Sequence, residues 1–380
     1  MRLPSYIVIG RHQIMALLLL GVFAAQCAWL VWSQPFSTDE QDHIWSGKQQ
    51  LEYGAAPRNY RYTPLTNVLS AAPLKIDAGR QPEAAVSRET VQREVRRLRV
   101  LTRVPFVLAG IFLGVSVWYV SRRLYGNPGG YVALTLYCFS PAMIQRAATI
   151  NEVVLSAWGV FGIIFGSIAI SHNLYAPWRK WRYRTVLLSV AMALAVAAHP
   201  AAVLLVPVGF AFIVYLAPGR RWAGILLNFA ASVFAFVLVM AAYSFGPRAF
   251  MNGVDLRQWL AYQPAQARAT FLQPEFLWSL LNPAVLLMAV ISLVVYLGWR
   301  RTRYFGNTSP LLVAAGLIYL ALITPMTAIA AAWALPFIFV FIGGIWADLL
   351  ETKRRWIVAA LLVVLLGENA WYCWKVLQSA

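Results

Sequence analysis

The fold is decided by residues 13–32, QIMALLLLGVFAAQCAWLVW, and by the polar stretch STDEQDH that follows them at 37–43. The first segment has no Asp, Glu, Lys or Arg and is long enough to cross a bilayer as a helix. It is too long for the apolar part of a signal peptide and has no small-residue cleavage site, so we interpret it as an uncleaved first span. The acidic residues after it are costly inside a bilayer, and we therefore expect them at its surface.

The rest of the chain continues this apolar pattern. Of its 380 residues, 60% are hydrophobic and only 12% are charged. This composition predicts an all-α polytopic membrane protein, which we take as one domain over 1–380 because no internal repeat or linker divides it. About eleven transmembrane helices are expected. The apolar runs that predict them are 13–32, 104–121, 129–146, 152–171, 185–198, 200–217, 222–243, 277–297, 310–324, 326–347 and 356–375.

The basic residues predict the orientation in the membrane. The net charge is +18, but the Lys and Arg residues fall largely in short turns between alternate spans, which does not favour a nucleic-acid partner. If these turns and the N-terminus are cytoplasmic, the long segments 33–103 and 244–276 are extracytoplasmic and the C-terminus faces outward. We expect a multi-pass protein of the cytoplasmic (inner) membrane. The basic turns are Arg122-Arg123, 179–184, Arg220-Arg221, 300–303 and 353–355.

The first long segment carries eleven Lys and Arg residues between Lys48 and Arg103. Long loops escape the charge rule, so this excess does not contradict the orientation. Contact with anionic lipid headgroups accounts for it, and so does recognition of a phosphate-bearing lipid substrate. Both interpretations stay open from the sequence.

Two helices are predicted within this segment. Ser37 and Glu40 have the spacing of a capping box, which predicts a helix over 39–53 and leaves Asp39 outside the cap. A second helix around 91–98 has apolar residues at spacings of four and three and is expected to lead directly into the second span.

Several polar groups come to one face of the membrane once this topology is drawn. Depth alone does not place them side by side, so the convergence is a hypothesis. Each group also has a structural interpretation: a first-turn helix charge, a helix cap, a helix-end residue or an arginine that reaches the headgroups. The groups are Asp39, Glu40, Asp42, His43, Arg146, Asn151, Glu152 and His199.

Other candidate sites are few. Glu368 lies in the last predicted span without an adjacent charge, which favours a functional or partner-contact role unless it lies near the interface. Cys27, Cys138 and Cys373 are too few and too dispersed for a disulfide framework or a metal site. The sequence has no Gly-rich phosphate loop, which argues against nucleotide-dependent enzymes. It has no Cys-x-x-Cys pair and no His-Glu-x-x-His helix, which argues against zinc proteases. It has no Gly-x-Ser-x-Gly turn, which argues against serine hydrolases.

The stretch Phe36-Ser37-Thr38-Asp39-Glu40, with Gly54 and then Arg61-Tyr62-Thr63-Pro64-Leu65 downstream, resembles the first outer loop of the GT-C glycosyltransferases, in particular the protein O-mannosyltransferase and aminoarabinose-transferase branch. The similarity continues in order over about 36–165 and is diffuse afterwards. The segments that continue it are Arg103-Val104-Pro105, 122–126, Ser140-Pro141, 146–152, Ala198-His199-Pro200 and Ala334-Leu335-Pro336. The chain departs from the family at Asn151-Glu152, where Glu152 has to supply the usual acidic residue, and at Ala331-Ala332-Trp333.

This resemblance implies transfer of a sugar from a polyprenyl-phosphate carrier to an extracytoplasmic glycan, lipid or protein, with inversion. It implies no cofactor; a divalent metal is possible but not required, because arginine stabilises a leaving phosphate. Asp39 is the expected general base, and we expect it to line one cavity with Arg61 and Arg103. The implied sites are catalytic Asp39, Glu40 and Glu152, phosphate-binding Arg61, Arg103 and Arg146, and acceptor-binding or orienting His43, Tyr62 and His199.

Two other classes of protein remain open from the sequence. A lipid flippase or solute transporter is also polytopic and basic, but it is expected to carry polar or broken helices at mid-bilayer, whereas the ionisable groups here gather at one face. A non-catalytic subunit of an envelope-polysaccharide assembly machine is the third interpretation.

Overall fold

A computed structural model describes residues 10–54, 63–77, 88–175, 179–254 and 256–379. Within these ranges the chain forms helices and no strand, which confirms the all-α class. The α-helices are α1 (Arg11–Ser33), α2 (Thr38–Tyr53), α3 (Pro64–Asp77), α4 (Arg88–Cys138), α5 (Pro141–Ala148), α6 (Val153–Asn173), α7 (Arg179–Ala198), α8 (Leu205–Leu216), α9 (Arg221–Ala242), α10 (Pro247–Gly253), α11 (Arg257–Leu260), α12 (Pro264–Phe271), α13 (Pro274–Leu280), α14 (Pro283–Gly298), α15 (Phe305–Ile323), α16 (Thr327–Leu350) and α17 (Arg355–Ser379). Short 3₁₀ helices lie at Pro200–Leu204, Pro218–Arg220 and Arg300–Thr302.

The described ranges contain eight helices long and apolar enough to cross a membrane. A ninth is added if α13 and α14, which meet at an angle of 79°, form one span. Helix α4 contains the predicted run 104–121 and the first part of the run 129–146, and it changes direction at Gly126, whose φ of 74° is not helical. Pro200–Leu216 is apolar but shorter. The polytopic membrane fold is confirmed, and the count of eleven crossings stays a prediction.

Two predicted helix boundaries are wrong. The run 129–146 does not form one helix, because α4 ends at Cys138 and α5 begins at Pro141 after Ser140, whose hydroxyl accepts a hydrogen bond from the Met143 amide. The run 277–297 is also broken, because Asn282 caps a new helix by accepting a hydrogen bond from the Val285 amide at 2.9 Å. Apolar composition does not reveal such caps, which end one helix and start the next.

The most deeply buried helices are α6 and α16. The Phe337 ring of α16 packs against Phe161 and Phe165 of α6, with centroids 5.3 and 5.8 Å apart. Helix α7 approaches α6 so closely that a Cβ on Gly159 would lie 2.4 Å from the Ala195 amide nitrogen. Small residues allow such contacts between membrane helices, and here they bring α7 against α6.

One end of the bundle carries α2, α3, α5 and α10–α13, and we call it the loop-bearing end. Helix α2 has the predicted capping box, since Ser37 Oγ accepts from the Glu40 amide at 3.2 Å and Glu40 Oε2 accepts from the Ser37 amide at 2.9 Å. It ends at Gly54, whose φ is 64°. Gly47 of α2 meets α3 so tightly that a Cβ there would lie 1.9 Å from the Asn67 carbonyl oxygen. These contacts fix α2 against α3.

The second predicted helix of the first long segment is confirmed, because α4 begins at Arg88 and runs without a break into the second span. Helix α3 was not predicted. The second long segment extends past its predicted bounds of 244–276 and contains four short helices, α10–α13, before α14 begins at Pro283. These helices have four to eight residues, too few for a hydrophobic period to be recognised.

Candidate active site

The strongest polar contact at the loop-bearing end joins Glu40 of α2 to Arg103 of α4. Arg103 Nε donates to Glu40 Oε1 at 2.8 Å and Nη2 donates to Oε2 at 2.7 Å, so the pair is bidentate. Both residues are almost completely buried, at 2% and 0% exposure. An Arg–carboxylate fork of this kind is among the strongest hydrogen-bonded pairs in proteins.

The remaining N–H groups of Arg103 are also occupied. Nη1 donates to the carbonyl oxygens of Gln34 at 3.0 Å and Val31 at 3.4 Å, and Nη2 donates to that of Pro35 at 2.9 Å. The guanidinium also lies 5.3 Å from the centroid of the Phe36 ring. A guanidinium has five N–H donors, and all of them have protein acceptors here. The geometry therefore does not support the phosphate-binding role expected for Arg103; it holds the end of α1 against α4.

Glu40 also binds the turn between α5 and α6, because its Oε1 accepts a hydrogen bond from the Ile150 amide at 2.9 Å. Burial favours the neutral carboxyl, but the bonds from Arg103, Ile150 and Ser37 and the charge of Arg103 outweigh it and lower the pKa of Glu40 below its usual value. Glu40 is thus an ionised anchor. Its burial and complete set of partners do not favour the catalytic role expected for it.

Asp39 precedes Glu40 in the first turn of α2, and its side chain is exposed. The bonds of Glu40 hold this turn against the α5–α6 turn, so the position of Asp39 is fixed by its neighbour. Arg61 and Tyr62 lie outside the described residues. The structure therefore does not support Arg103 as a member of the expected cavity with Asp39 and Arg61. The part of Arg61 stays a prediction.

Of the predicted phosphate-binding arginines that the structure describes, Arg103 and Arg146, only Arg146 keeps donors available. It lies in the last turn of α5 and is partly buried, and its one hydrogen bond to a described residue is a long one, from Nη1 to the Ala328 carbonyl oxygen at 3.5 Å. Burial lowers the pKa of Arg146 to about 10, and the nearby charge of Glu152 partly offsets this effect. The side chain remains cationic at neutral pH and has most of its donors available for an anion.

Glu152 lies just before α6, six residues after Arg146. The cap of α6 is supplied by Asn151, whose Oδ1 accepts from the Val153 amide at 3.0 Å and whose Nδ2 donates to the Arg146 carbonyl oxygen at 2.9 Å. The half-buried Glu152 carboxylate makes no hydrogen bond or ion pair with any described residue. Asn151 is therefore structural, and the carboxylate of Glu152 is available for another partner.

His199 follows α7 and is completely buried. The centroid of its ring lies 4.6 Å from that of Trp259 and 5.5 Å from that of Trp333, both in edge-to-face arrangements. Neither ring nitrogen has a hydrogen-bond partner among the described residues. Burial lowers the pKa of His199 to about 4, so the imidazole is neutral at pH 7.

His43 has a different position from the one expected. It is buried between α2 and α3, where its Nδ1 lies 2.5 Å from Asn67 Oδ1. This contact joins the two helices and does not support a role in orienting the acceptor. Its neighbour in the polar stretch, Asp42, is exposed.

An apolar groove of about 700 Å³ lies between α8 and α15. Several of its lining side chains face outward, among them Tyr215 at 75% exposure and Tyr319 at 63%, so the groove is open along the side of the bundle. Its end near Leu204 and Ile323 belongs to the loop-bearing end. Leu204 closes the 3₁₀ turn that follows His199, and Ile323 is five residues before Ala328, the partner of Arg146. The lining also includes Leu205, Val208, Ala211, Phe212, Phe305, Thr308, Ser309, Leu312, Val313, Gly316, Leu317 and Leu320.

No family model and no curated protein matches this sequence. The structure is similar to that of ArnT from Cupriavidus metallidurans bound to undecaprenyl phosphate, with a TM-score of 0.63, 12% identity and coverage of 92% of this chain and 62% of that one. It is also similar to the apo oligosaccharyltransferase of Archaeoglobus fulgidus, with a TM-score of 0.57, 12% identity and coverage of 95% and 55%. Both neighbours are GT-C glycosyltransferases. The chain has a GT-C fold. It spans less than two thirds of the length of either neighbour.

In this GT-C fold, the part of the chain that the structure describes gathers no group of three or more His, Cys, Asp or Glu side chains for a metal ion. Glu368 is exposed on α17, while the adjacent Asn369 is buried and accepts a hydrogen bond from Asn282 of α14. Glu368 thus lies on the surface of the bundle and away from the interior. The three cysteines are buried and unbridged.

Sequence reasoning missed the aromatic surroundings of His199. Trp259 lies on the four-residue helix α11, and Trp333 donates from Nε1 to Ser156 Oγ at 2.8 Å across 177 positions of the sequence. No local pattern predicts such contacts. The sequence departs from the family at Ala331-Ala332-Trp333, before the late Leu-Pro. This departure points to Trp333 but does not show that His199 packs against it.

Proposed function

We propose that this chain is an inverting glycosyltransferase that moves a sugar from a polyprenyl-phosphate donor to a hydroxyl-bearing acceptor at the loop-bearing end, on the extracytoplasmic side of the cytoplasmic membrane. The observation that carries the proposal is Arg146. Its guanidinium is partly buried and its one hydrogen bond to a described residue is long, so it has donors for an anion, and the nearby Glu152 carboxylate has no partner among the described residues.

The groove between α8 and α15 supports a lipid-linked donor. It is apolar, open at the side of the bundle and about 700 Å³ in volume, which suits part of a polyprenyl chain that enters from the bilayer. At the loop-bearing end of the groove, Leu204 on one wall is close in sequence to His199. Ile323 on the other wall is close in sequence to Ala328, the partner of Arg146. A lipid in this groove therefore brings its phosphate towards Arg146.

The reaction assigns one task to each group. The Asp39 carboxylate removes the proton from the acceptor hydroxyl as the acceptor oxygen bonds to the anomeric carbon. The bond between the anomeric carbon and the phosphate oxygen breaks, and its electron pair leaves with the phosphate. Arg146 stabilises the added negative charge on the leaving polyprenyl phosphate. A base and a leaving group on opposite faces of the sugar give inversion.

Glu152 belongs to the same site by position. Glu40 holds the first turn of α2 to Ile150, which lies between Arg146 and Glu152 in the chain. Asp39, Arg146 and Glu152 are thus tied to one small region through a buried anchor. We assign to Glu152 the orientation of the acceptor, because its carboxylate is half-buried and accepts no hydrogen bond from the described protein.

The test is transfer from radiolabelled polyprenyl-phosphate sugars by the purified chain in lipid nanodiscs. Asp39→Asn is expected to reduce the rate by about 10²- to 10⁴-fold, since the base is lost. Asp42→Asn, a change to an exposed carboxylate on the same helix, is the matched control and keeps the rate. A fully active Asp39→Asn enzyme removes the base assignment.

Arg146→Gln is expected to reduce transfer by about 10²- to 10³-fold, as loss of a stabiliser of the leaving charge does elsewhere. The control is Arg268→Gln, which removes an exposed arginine of α12. If wild-type protein binds polyprenyl phosphate but transfers no sugar from any donor, the non-catalytic subunit replaces the enzyme as the better account. Movement of the lipid across the bilayer without transfer supports the transporter instead.

A further inference from the structure

The rings of His199 and Trp259 carry three buried polar atoms without partners among the described residues. His199 Nδ1, His199 Nε2 and Trp259 Nε1 are all buried and have no partner among the described residues. The Trp333 indole, which also contacts His199, is satisfied, because its Nε1 donates to Ser156 Oγ at 2.8 Å. The three atoms without partners thus belong to two rings in edge-to-face contact, with centroids 4.6 Å apart.

Buried polar atoms without partners destabilise the folded protein. A buried donor or acceptor without a partner costs about 1–3 kcal/mol, and native proteins keep few of them. A pair of touching rings that keeps three of them is explained if a ligand supplies the missing partners during function.

The chemistry of the three atoms describes that ligand. A neutral imidazole offers one donor and one acceptor, and an indole N–H offers one donor. The partner must therefore supply acceptors and at least one donor close together, and it must have an apolar face for the aromatic rings. A sugar ring has this combination of hydroxyl groups and C–H surface. An ionised phosphate has hydrogen-bond acceptors but no donor, and it has no apolar face.

The charge of His199 agrees with this choice. Burial lowers the pKa of His199 to about 4, so the ring is uncharged at neutral pH and is suited to hydroxyl groups rather than to an anion. Arg146 already supplies a cation for the phosphate.

The location places the cluster beside the donor groove. His199 is followed directly by the 3₁₀ turn Pro200–Leu204, and Leu204 lines the end of the groove. Trp259 belongs to the short helix α11 in the second long segment, whose Gln263 amide donates to the Ile323 carbonyl oxygen at 2.9 Å at the opposite wall of the groove. A sugar carried by a lipid in the groove thus arrives next to both rings.

We infer that His199 and Trp259 form the subsite for the sugar of the donor, in which the hydroxyl groups of the sugar bind the imidazole nitrogens and the indole N–H and displace the present ring-to-ring contact. This inference rests on the proposed function and adds the residues that distinguish a glycosylated lipid from the bare one. His199 is completely buried without ligand, so the indole of Trp259 moves aside when the sugar enters.

The experiment measures binding and needs no turnover. Dissociation constants of the purified full chain in nanodiscs are measured for undecaprenyl phosphate and for undecaprenyl phosphate linked to a hexose, a pentose and an amino sugar. At least one glycosylated lipid is expected to bind wild-type protein about tenfold more tightly than the bare lipid, which corresponds to one or two net hydrogen bonds.

Variants then separate recognition from packing. His199→Phe keeps an aromatic ring and removes both nitrogens, so we expect it to fold, to bind the bare lipid normally and to lose the preference for the glycosylated one. His199→Gln keeps a donor and an acceptor and is expected to retain part of the preference. Trp259→Phe removes one donor and reduces the preference severalfold. Controls are Trp278→Phe on α13 and His12→Phe, which lies at the opposite end of the bundle against Tyr131.

The inference is overturned if wild-type protein binds every glycosylated lipid as it binds the bare one, or if His199→Phe keeps the preference. Preference without sugar transfer contradicts the proposed function and leaves the subsite intact. If sugar transfer depends on Asp39 but His199→Phe does not change the ratio of the two lipid affinities, the subsite is contradicted and the proposed function stands. Absence of binding to any of these lipids contradicts both.

Discussion

Replacement of Glu40 by Gln tests the role of the buried anchor. The exchange keeps the shape of the side chain and removes its charge. Arg103 loses its bidentate pairing with a carboxylate, whose bonds are 2.8 and 2.7 Å long, and keeps its three bonds to backbone carbonyl groups. The guanidinium remains at 0% exposure without a counter-charge.

Breaking a buried ion pair by removing one partner typically costs about 3–5 kcal/mol, because an uncompensated charge stays in the interior. Glu40 also accepts from Ser37 at Oε2 and from Ile150 at Oε1; Gln has only one acceptor oxygen, so it loses one of these bonds and weakens the other. We therefore expect Glu40→Gln to lower the free energy of unfolding by about 3–5 kcal/mol.

The assay is reversible unfolding of the purified protein in mixed micelles, followed by circular dichroism. The matched control is Glu351→Gln, which breaks an ion pair of the same length, 2.7 Å to Arg301, at 63% and 60% exposure. An exposed pair contributes about 0–1 kcal/mol. A loss below about 1 kcal/mol for Glu40→Gln would refute our reasoning that burial makes this pair an anchor.

The same anchor predicts a dependence on pH. The pKa of Glu40 is lowered in the folded protein, so its contribution to stability is present above the unfolded-state pKa of about 4.3 and is lost as the pH falls through the lower folded-state pKa. The difference in unfolding free energy between wild type and Glu40→Gln is expected to be constant near pH 7 and to shrink below about pH 4. A difference that grows on acidification contradicts this assignment.

Two further predictions concern close contacts and the groove. Gly47→Ala is expected to destabilise the protein by several kcal/mol, on the order of a severe core clash, because its Cβ would lie 1.9 Å from the Asn67 carbonyl oxygen. At Gly21 a Cβ meets nothing within 4 Å, so Gly21→Ala is expected to be neutral. Thermal unfolding of both variants checks this, and equal melting temperatures contradict it. Gly316→Trp is expected to fill the groove and weaken binding of undecaprenyl phosphate by at least about tenfold, while Gly367→Trp on α17 leaves it unchanged. Equal lipid affinities for the two Trp variants would exclude the groove as the lipid site.

The local features of this protein could be predicted from its sequence. The apolar runs predict the membrane helices because each helix has to satisfy its backbone within the bilayer. The spacing of Ser37 and Glu40 predicts the capping box, which forms. Asn151 likewise caps α6 as its position suggests. Each of these features depends on residues a few positions apart.

The roles of the candidate site residues depend on contacts that are distant in the sequence, and there prediction was less successful. Arg103 at the entry of a span is equally suited to bind a phosphate or a carboxylate, and only the fold brings Glu40 against it across 63 positions. His43 is turned towards Asn67 by the packing of α2 on α3. No local pattern of the sequence predicts that the ring nitrogens of His199 lack partners among the described residues.

The central claim is that the donor lipid lies in the groove between α8 and α15 with its phosphate at Arg146. The most direct test is an experimental structure of the chain in nanodiscs with undecaprenyl phosphate. Our account predicts the polyprenyl chain along α8 and α15 and a phosphate oxygen within about 2.7–3.2 Å of the Arg146 guanidinium. A phosphate bound at the opposite end of the bundle, or a lipid outside the groove with Arg146 still unoccupied, would contradict it.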